Sequence, residues 1–144
     1  MNRHSWLLLT LFDAGPRGLA PAQLQKILFL LAQEIPELLG TQDFYDFIPY
    51  NYGPFSKQIY RDAESLAQRG MVNIYWPPGS SYPMYELTPN GFEQARVHER
   101  DADRRARQYL RSVVRWAQPL RFSELVSSIY KKYPSFRVNS VFQD

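Results

Sequence analysis

The chain contains no cysteine, which excludes disulfides, thiol catalysis and thiolate metal sites. Histidine is nearly as scarce, with only His4 and His98. Long apolar runs are missing too. The longest, Trp6 to Leu9 and Ile27 to Ala32, fall far below the roughly 18–20 residues that a membrane-spanning helix needs. The apolar stretch near the start is interrupted by Asp13 and followed by no small-residue cleavage site, so a secretory signal is not expected and the cytoplasm is the expected compartment. No glycine-rich phosphate loop, internal repeat or low-complexity tract is present. Against these absences, 144 residues with 44% hydrophobic and 15% aromatic side chains suffice to bury a core, which rules out wholesale disorder and leaves room for about one domain.

Lysine is the rarer cation: 13 of the 17 cationic residues are arginine and 4 are lysine. Arginine's planar, weakly hydrated guanidinium suits carboxylate, phosphate and aromatic partners. The net charge of +3 is unevenly spread, because residues 1–94 carry 6 Lys/Arg against 9 Asp/Glu while residues 95–144 carry 11 against 5. The first segment is therefore acidic and the second basic.

Ser5 is placed to cap a first helix through Trp6, Leu9 and Phe12, which Gly15-Pro16-Arg17-Gly18 ends. A second helix is expected from Pro21 through Leu24, Ile27, Leu28 and Leu31 toward Glu34, stopped by Pro36. The aromatic run FYDFIPYNY from Phe44 to Tyr52 fits a short strand or extended loop. A third helix is expected to open at Pro54, expose Lys57, Arg61, Glu64 and Gln68, and end at Gly70. Met71 to Trp76 and Tyr82 to Leu87 then read as a hairpin around PPGSS. Thr88 and Pro89 open a long helix that is expected to run to Pro119, and Ser123 caps a last helix ended by Pro134, with a loosely held tail beyond it.

This order predicts a mainly α chain with a small β-hairpin: a winged helix-turn-helix core over residues 1–94, then an Arg-rich helical extension over residues 95–144. Gly53-Pro54 reads either as a plain helix start or as a turn presenting Tyr50, Asn51 and Tyr52 to a partner, since tyrosine gives large contact area at small entropic cost. The wing loop reads as a stiff connection or as a contact surface through Tyr75, Trp76 and Tyr82.

Seven arginines fall between Arg96 and Arg115. Arg100, Arg104, Arg107, Arg111 and Arg115 follow three- and four-residue steps, so one continuous helix would carry them as a ridge. That ridge is either a solvated face, a docking surface for an acidic partner or nucleic-acid backbone, or a helix that pairs with its own copy. DNA readout would use Lys57, Gln58 and Arg61 on the third helix, with Arg104, Arg107 and Arg111 on the backbone. Asp62 and Glu64 beside the readers, the acidic first segment and a wing without Lys or Arg weigh against it. His4, His98, Asp43 and Asp46 offer no nucleophile-base-orienter set, so no enzyme, cofactor or metal is expected.

The stretches LQKILFLLAQ (Leu24 to Gln33), YNYGPFSKQIY (Tyr50 to Tyr60), LAQRGMV (Leu66 to Val72) and YELTPNG (Tyr85 to Gly91) resemble the Panacea family of SocA-like, phage-associated antitoxins, and are similar to the YwgA-like bacterial proteins. The resemblance covers roughly residues 20 to 95 and centres on Tyr-Gly-Pro with a helix after it. It implies an antitoxin that neutralises a toxin by direct contact, in at least one kind as an adaptor that delivers the toxin to a protease. The Arg-rich helix and the tail lie outside it. Together these features lead to the expectation of a non-enzymatic module that binds a partner protein, a toxin or defence-system subunit, with Tyr50, Tyr52 and the arginine ridge as contacts. A winged-helix transcriptional regulator is the alternative.

Overall fold

The computed structural model describes residues 1–143. It is mainly helical, with two small antiparallel hairpins. The first helix, α1 (Arg3–Ala14), starts earlier than the sequence suggests, because Asn2 rather than Ser5 is the cap. The Asn2 side chain accepts from the Ser5 backbone N–H at 3.0 Å, and the Ser5 hydroxyl accepts from the Asn2 N–H at 3.2 Å. This reciprocal pair satisfies two otherwise orphaned donors. Ser5 to Leu11 are all buried, which identifies α1 as a central helix rather than a one-faced surface helix. The Trp6 indole donates to the Leu39 carbonyl at 2.7 Å.

The second helix, α2 (Pro21–Glu34), has the expected bounds and buries Leu24 to Leu31 without interruption. The aromatic run after it forms strand β1 (Ile48–Tyr50), which pairs with β2 (Gly53–Phe55) in the register Tyr50↔Gly53 and Ile48↔Phe55. Pro54 therefore lies in a strand and does not open a helix. The third helix, α3 (Lys57–Gln68), begins three residues later. Its start is held by the buried Gln25 amide, which accepts from the Ser56 N–H and donates to the Ser56 carbonyl, both at 2.9 Å. Gly70 with φ +77 and the Met71 N–H on the Leu66 carbonyl close it.

The second hairpin pairs β3 (Val72–Tyr75) with β4 (Met84–Leu87). The free edge of β4 is covered at one point by Leu19, which exchanges two 2.9 Å backbone hydrogen bonds with Tyr85. Thr88 caps the next helix as expected, accepting from the Gly91 N–H at 3.0 Å while donating to the Gly70 carbonyl. Gly91 is required there: a Cβ would stand 1.9 Å from the Met71 carbonyl oxygen.

The single long helix expected from Pro89 to Pro119 is two helices. Helix α4 (Pro89–Asp101) stops at Ala102, whose backbone is extended (φ −74°, ψ 146°), and α5 (Arg104–Ala117) starts anew. Asp103 causes the break. Its carboxylate accepts from the Arg105 and Ala106 N–H groups at 2.8 and 3.2 Å, so the chain gains a cap where a continuous helix would have exposed a poor helix former. The last helix, α6 (Phe122–Lys132), starts at Arg121, whose N–H donates to Glu124 at 2.9 Å, so Ser123 is not its cap. Pro134 ends it as expected, but the segment beyond is not loose. The Val141 N–H donates to the Asn51 carbonyl at 2.9 Å, and Phe142 packs against Phe122 and Tyr130.

The boundary at residues 94 and 95 falls inside α4, and one hydrophobic cluster crosses it: Trp6, Leu28 and Phe29 share it with Ala106, Leu110, Val114 and Leu125. The arginine-bearing segment thus packs on α1 and α2. Among the described residues no helix is long and apolar enough to cross a membrane.

Candidate functional site

The concave, aromatic part of the surface lies where the first turn of α2, the β1–β2 turn and the start of α6 meet. Two grooves share Pro21, Ala22 and Phe122 in their walls. One, about 440 Å³, extends toward Tyr82, Leu120 and Arg121; the other, about 260 Å³, runs beneath Tyr50, Asn51 and Tyr52. Register places the two tyrosines. The Tyr50↔Gly53 pair leaves only Asn51 and Tyr52 in the turn, and Gly53 adopts φ +107, a conformation that favours glycine. Tyr50 stacks on Phe55 at 4.8 Å, and Tyr52 meets Phe122 edge-on at 5.1 Å. Both tyrosines stay nearly half exposed, at 47% and 44%, as do Phe122 and Tyr82 at 46% and 50%. The segment Asn139 to Phe142 braces the turn from behind: the Asn139 amide donates to the Pro49 carbonyl, and the Ser140 hydroxyl and Val141 N–H donate to the Asn51 carbonyl.

At the floor of the smaller groove stands Lys26, only 4% exposed. It has no hydrogen-bond or ion-pair partner among the described residues. Burial pushes its ammonium down to about 8, because a desolvated cation with no counter-charge gives up its proton more readily. Lys26 and Phe122 were not singled out from the sequence. The signal for Lys26 was a cation set among the leucines of the stretch Leu24 to Leu31; for Phe122 there was none, since its partner Tyr52 is 70 positions away.

The arginine ridge does not exist as a unit. Arg107 is 2% exposed and grips Asp13 with two hydrogen bonds of 2.8 and 2.7 Å and Glu99 with one of 2.8 Å, tying α5 to α1 and α4. Arg111 stands 3.7 Å from Glu99. Arg100 lies on α4 and Arg104 and Arg115 on α5, all exposed, so the helix break separates what the spacing had aligned. Arg107 is consequently unavailable to a partner or to a nucleic-acid backbone.

On α3, Lys57 and Arg61 are exposed, but the Gln58 amide donates to the Asp62 carboxylate at 2.7 Å. Asp62 is itself buried, not a surface charge beside the readers. Its carboxylate also accepts from Arg3 at 2.8 Å and from the Tyr45 hydroxyl at 2.7 Å, with His4 at 3.2 Å. Burial alone would raise its pKa, and the donors from Arg3, Tyr45 and Gln58 together outweigh that and hold it below the usual carboxylate range. These donors join α1, α3 and the segment before β1 through one carboxylate, so the cluster is a structural clasp.

Asp43 is exposed and bonded to Arg3, Asp46 is exposed, and His98 lies on α4 away from His4. Among the described residues, no group of three His, Asp or Glu side chains is arranged to hold a metal ion. Comparison with protein-family models, with curated proteins and with solved structures found no match.

Proposed function

We propose that the chain is a non-enzymatic winged-helix module that works by binding a partner protein through the face around the β1–β2 turn. The observation that carries this reading is the pair of adjoining grooves rimmed by Tyr50, Tyr52, Tyr82 and Phe122, each about half exposed. Aromatic side chains held in place lose little entropy on contact and dominate interface energetics. The winged-helix reading rests on the order α1, α2, α3, β3, β4, with the Trp76 to Pro83 loop as the wing. The resemblance of the segments around Tyr-Gly-Pro to SocA-like antitoxins points to a toxin or defence-system subunit as the partner. DNA binding has weaker support, because Gln58 is engaged with Asp62 and Arg107 with Asp13, leaving Lys57 and Arg61 as the exposed α3 cations.

The test is capture from the native host at moderate salt with the tagged chain, with and without nuclease. One stoichiometric protein that survives nuclease, and is lost with the Tyr52→Ala, Phe122→Ala double variant, is the expected result. Recovery of nucleic acid alone, released by nuclease or by raised salt, would overturn the proposal.

A further inference from the structure

Resting on that reading of the β1–β2 face, we infer that the smaller groove is a carboxylate-binding pocket, in which Lys26 and the free N–H groups of the α2 first turn receive an acidic side chain or chain-terminal carboxylate of the partner protein. Three observations converge on it. Lys26 is a more than nine-tenths buried cation that lines the groove and has no partner among the described residues. At the start of α2 the Gln23 side chain accepts from the Ala20 N–H at 2.9 Å and residue 21 is a proline, so the Ala22 and Gln23 N–H groups are the ones left without an intrahelical partner, at the positive end of the helix dipole. Ala22 and Lys26 are four residues apart, hence on one face, and both line the same groove.

Gly53 keeps the pocket open from above. A side chain there would place its Cβ 3.6 Å from Cε and 3.8 Å from Nζ of Lys26. Among the described residues, no carboxylate lines the groove. The lysine's one charge calls for an anion, and the flanking Tyr52 and Phe122 supply apolar contact of the kind that a protein side chain or chain end brings with its carboxylate.

The titratable side chains that line the groove with Lys26 are Tyr50 and Tyr52 from the β1–β2 turn and Tyr60 from α3, while the Tyr130 ring of α6 lies beside Gly53 with the Arg137 guanidinium 5.2 Å over it. Burial raises the Tyr60 phenol and lowers the Lys26 ammonium to about 8, so the lysine loses its charge between pH 6.5 and 9.5.

The experiment titrates the full chain with N-acetylphenylalanine, its neutral amide and phenyl phosphate, following the backbone amides of Ala22, Lys26 and Gly53 by nuclear magnetic resonance at pH 6.5. The carboxylate is expected to bind at least about fivefold more tightly than the amide, to weaken about tenfold by pH 9.5 as Lys26 deprotonates, and to lose its advantage in Lys26→Met and Lys26→Gln. Equal binding of the amide, an advantage retained in both variants, or a clear preference for phenyl phosphate would each overturn the inference. Discrimination by the free chain when no protein is captured would support the pocket and remove the partner reading. A captured protein that binds Lys26→Met as tightly as the parent would overturn the pocket and leave the partner reading in place.

Discussion

Replacing Lys26 by methionine is expected to make the protein more stable. Burial holds this ammonium at about 8 against an ordinary 10.5, and at about 1.4 kcal/mol per pH unit the buried charge costs about 3 kcal/mol at neutral pH. Below pH 8 the lysine is charged in both the folded and the unfolded chain, so the cost is present in full. Between pH 8 and 10.5 the unfolded chain binds more protons, and stability rises with pH as the cost disappears. Methionine matches the length of the lysine stem and carries no charge. Urea denaturation monitored by tryptophan fluorescence should therefore place Lys26→Met about 3 kcal/mol above the parent at pH 7, with the two converging above pH 10.5. A variant less stable than the parent at pH 7, or a gap that does not narrow as pH rises, would refute the reasoning. A stability cost of this size that one substitution removes is what a binding residue held ready for its ligand entails.

Asp62→Asn should cost about 3 kcal/mol, because an amide cannot accept from Arg3, Tyr45 and Gln58 together at this buried position. Since the Asp62 pKa is depressed in the folded state, the parent's advantage should hold above about pH 4 and shrink as pH falls further, which acid titration of both proteins would show. Arg107→Ala leaves the buried Asp13 without its cation and Glu99 with Arg111 at 3.7 Å, and should cost about 3–5 kcal/mol, while Arg104→Ala, at an exposed position, should stay within about 0.5 kcal/mol; equal effects in thermal melts would restore the continuous ridge. Gly91→Ala, which by helix propensity alone would stabilise α4 by about 1 kcal/mol, should instead destabilise by about 1–3 kcal/mol in the same melts, since the new methyl meets the Met71 carbonyl.

Helix α2 was legible from sequence to the residue because its signals are local: a proline in the first turn, an apolar stripe, a proline after the end. The β3–β4 hairpin and Thr88 cap were legible for the same reason. Pro54 was misplaced because a proline before a polar helical stretch fits both a first turn and a strand end, and the deciding contact is the clamp of Gln25 on Ser56, 31 positions apart. The long helix broke at Asp103 because aspartate in mid-pattern reads as a solvated charge until its carboxylate is found on the Arg105 and Ala106 amides. Presentation of Tyr50 and Tyr52 at the surface was one of two sequence readings, the other being a plain helix start with some of these tyrosines in the core, whereas Lys26 was hidden inside a stripe read only for its leucines. Whether an arginine is free or buried depends on where Asp13 and Glu99 arrive, and spacing along one helix carries no information about that.

The central position of α1 has a consequence for how the chain comes into being. Its apolar residues Trp6, Leu7, Leu8, Leu9 and Leu11 are covered by α2, α4, α5 and β4, and Arg107 is the residue that fastens Asp13. A ribosome delivers α1 some hundred residues before its last covering helix, an interval on the order of 5–20 s at ordinary synthesis rates. Throughout that interval this apolar helix has no finished surface to lie against. The nascent chain thus carries exposed apolar surface for a period set by the position of one helix in the sequence.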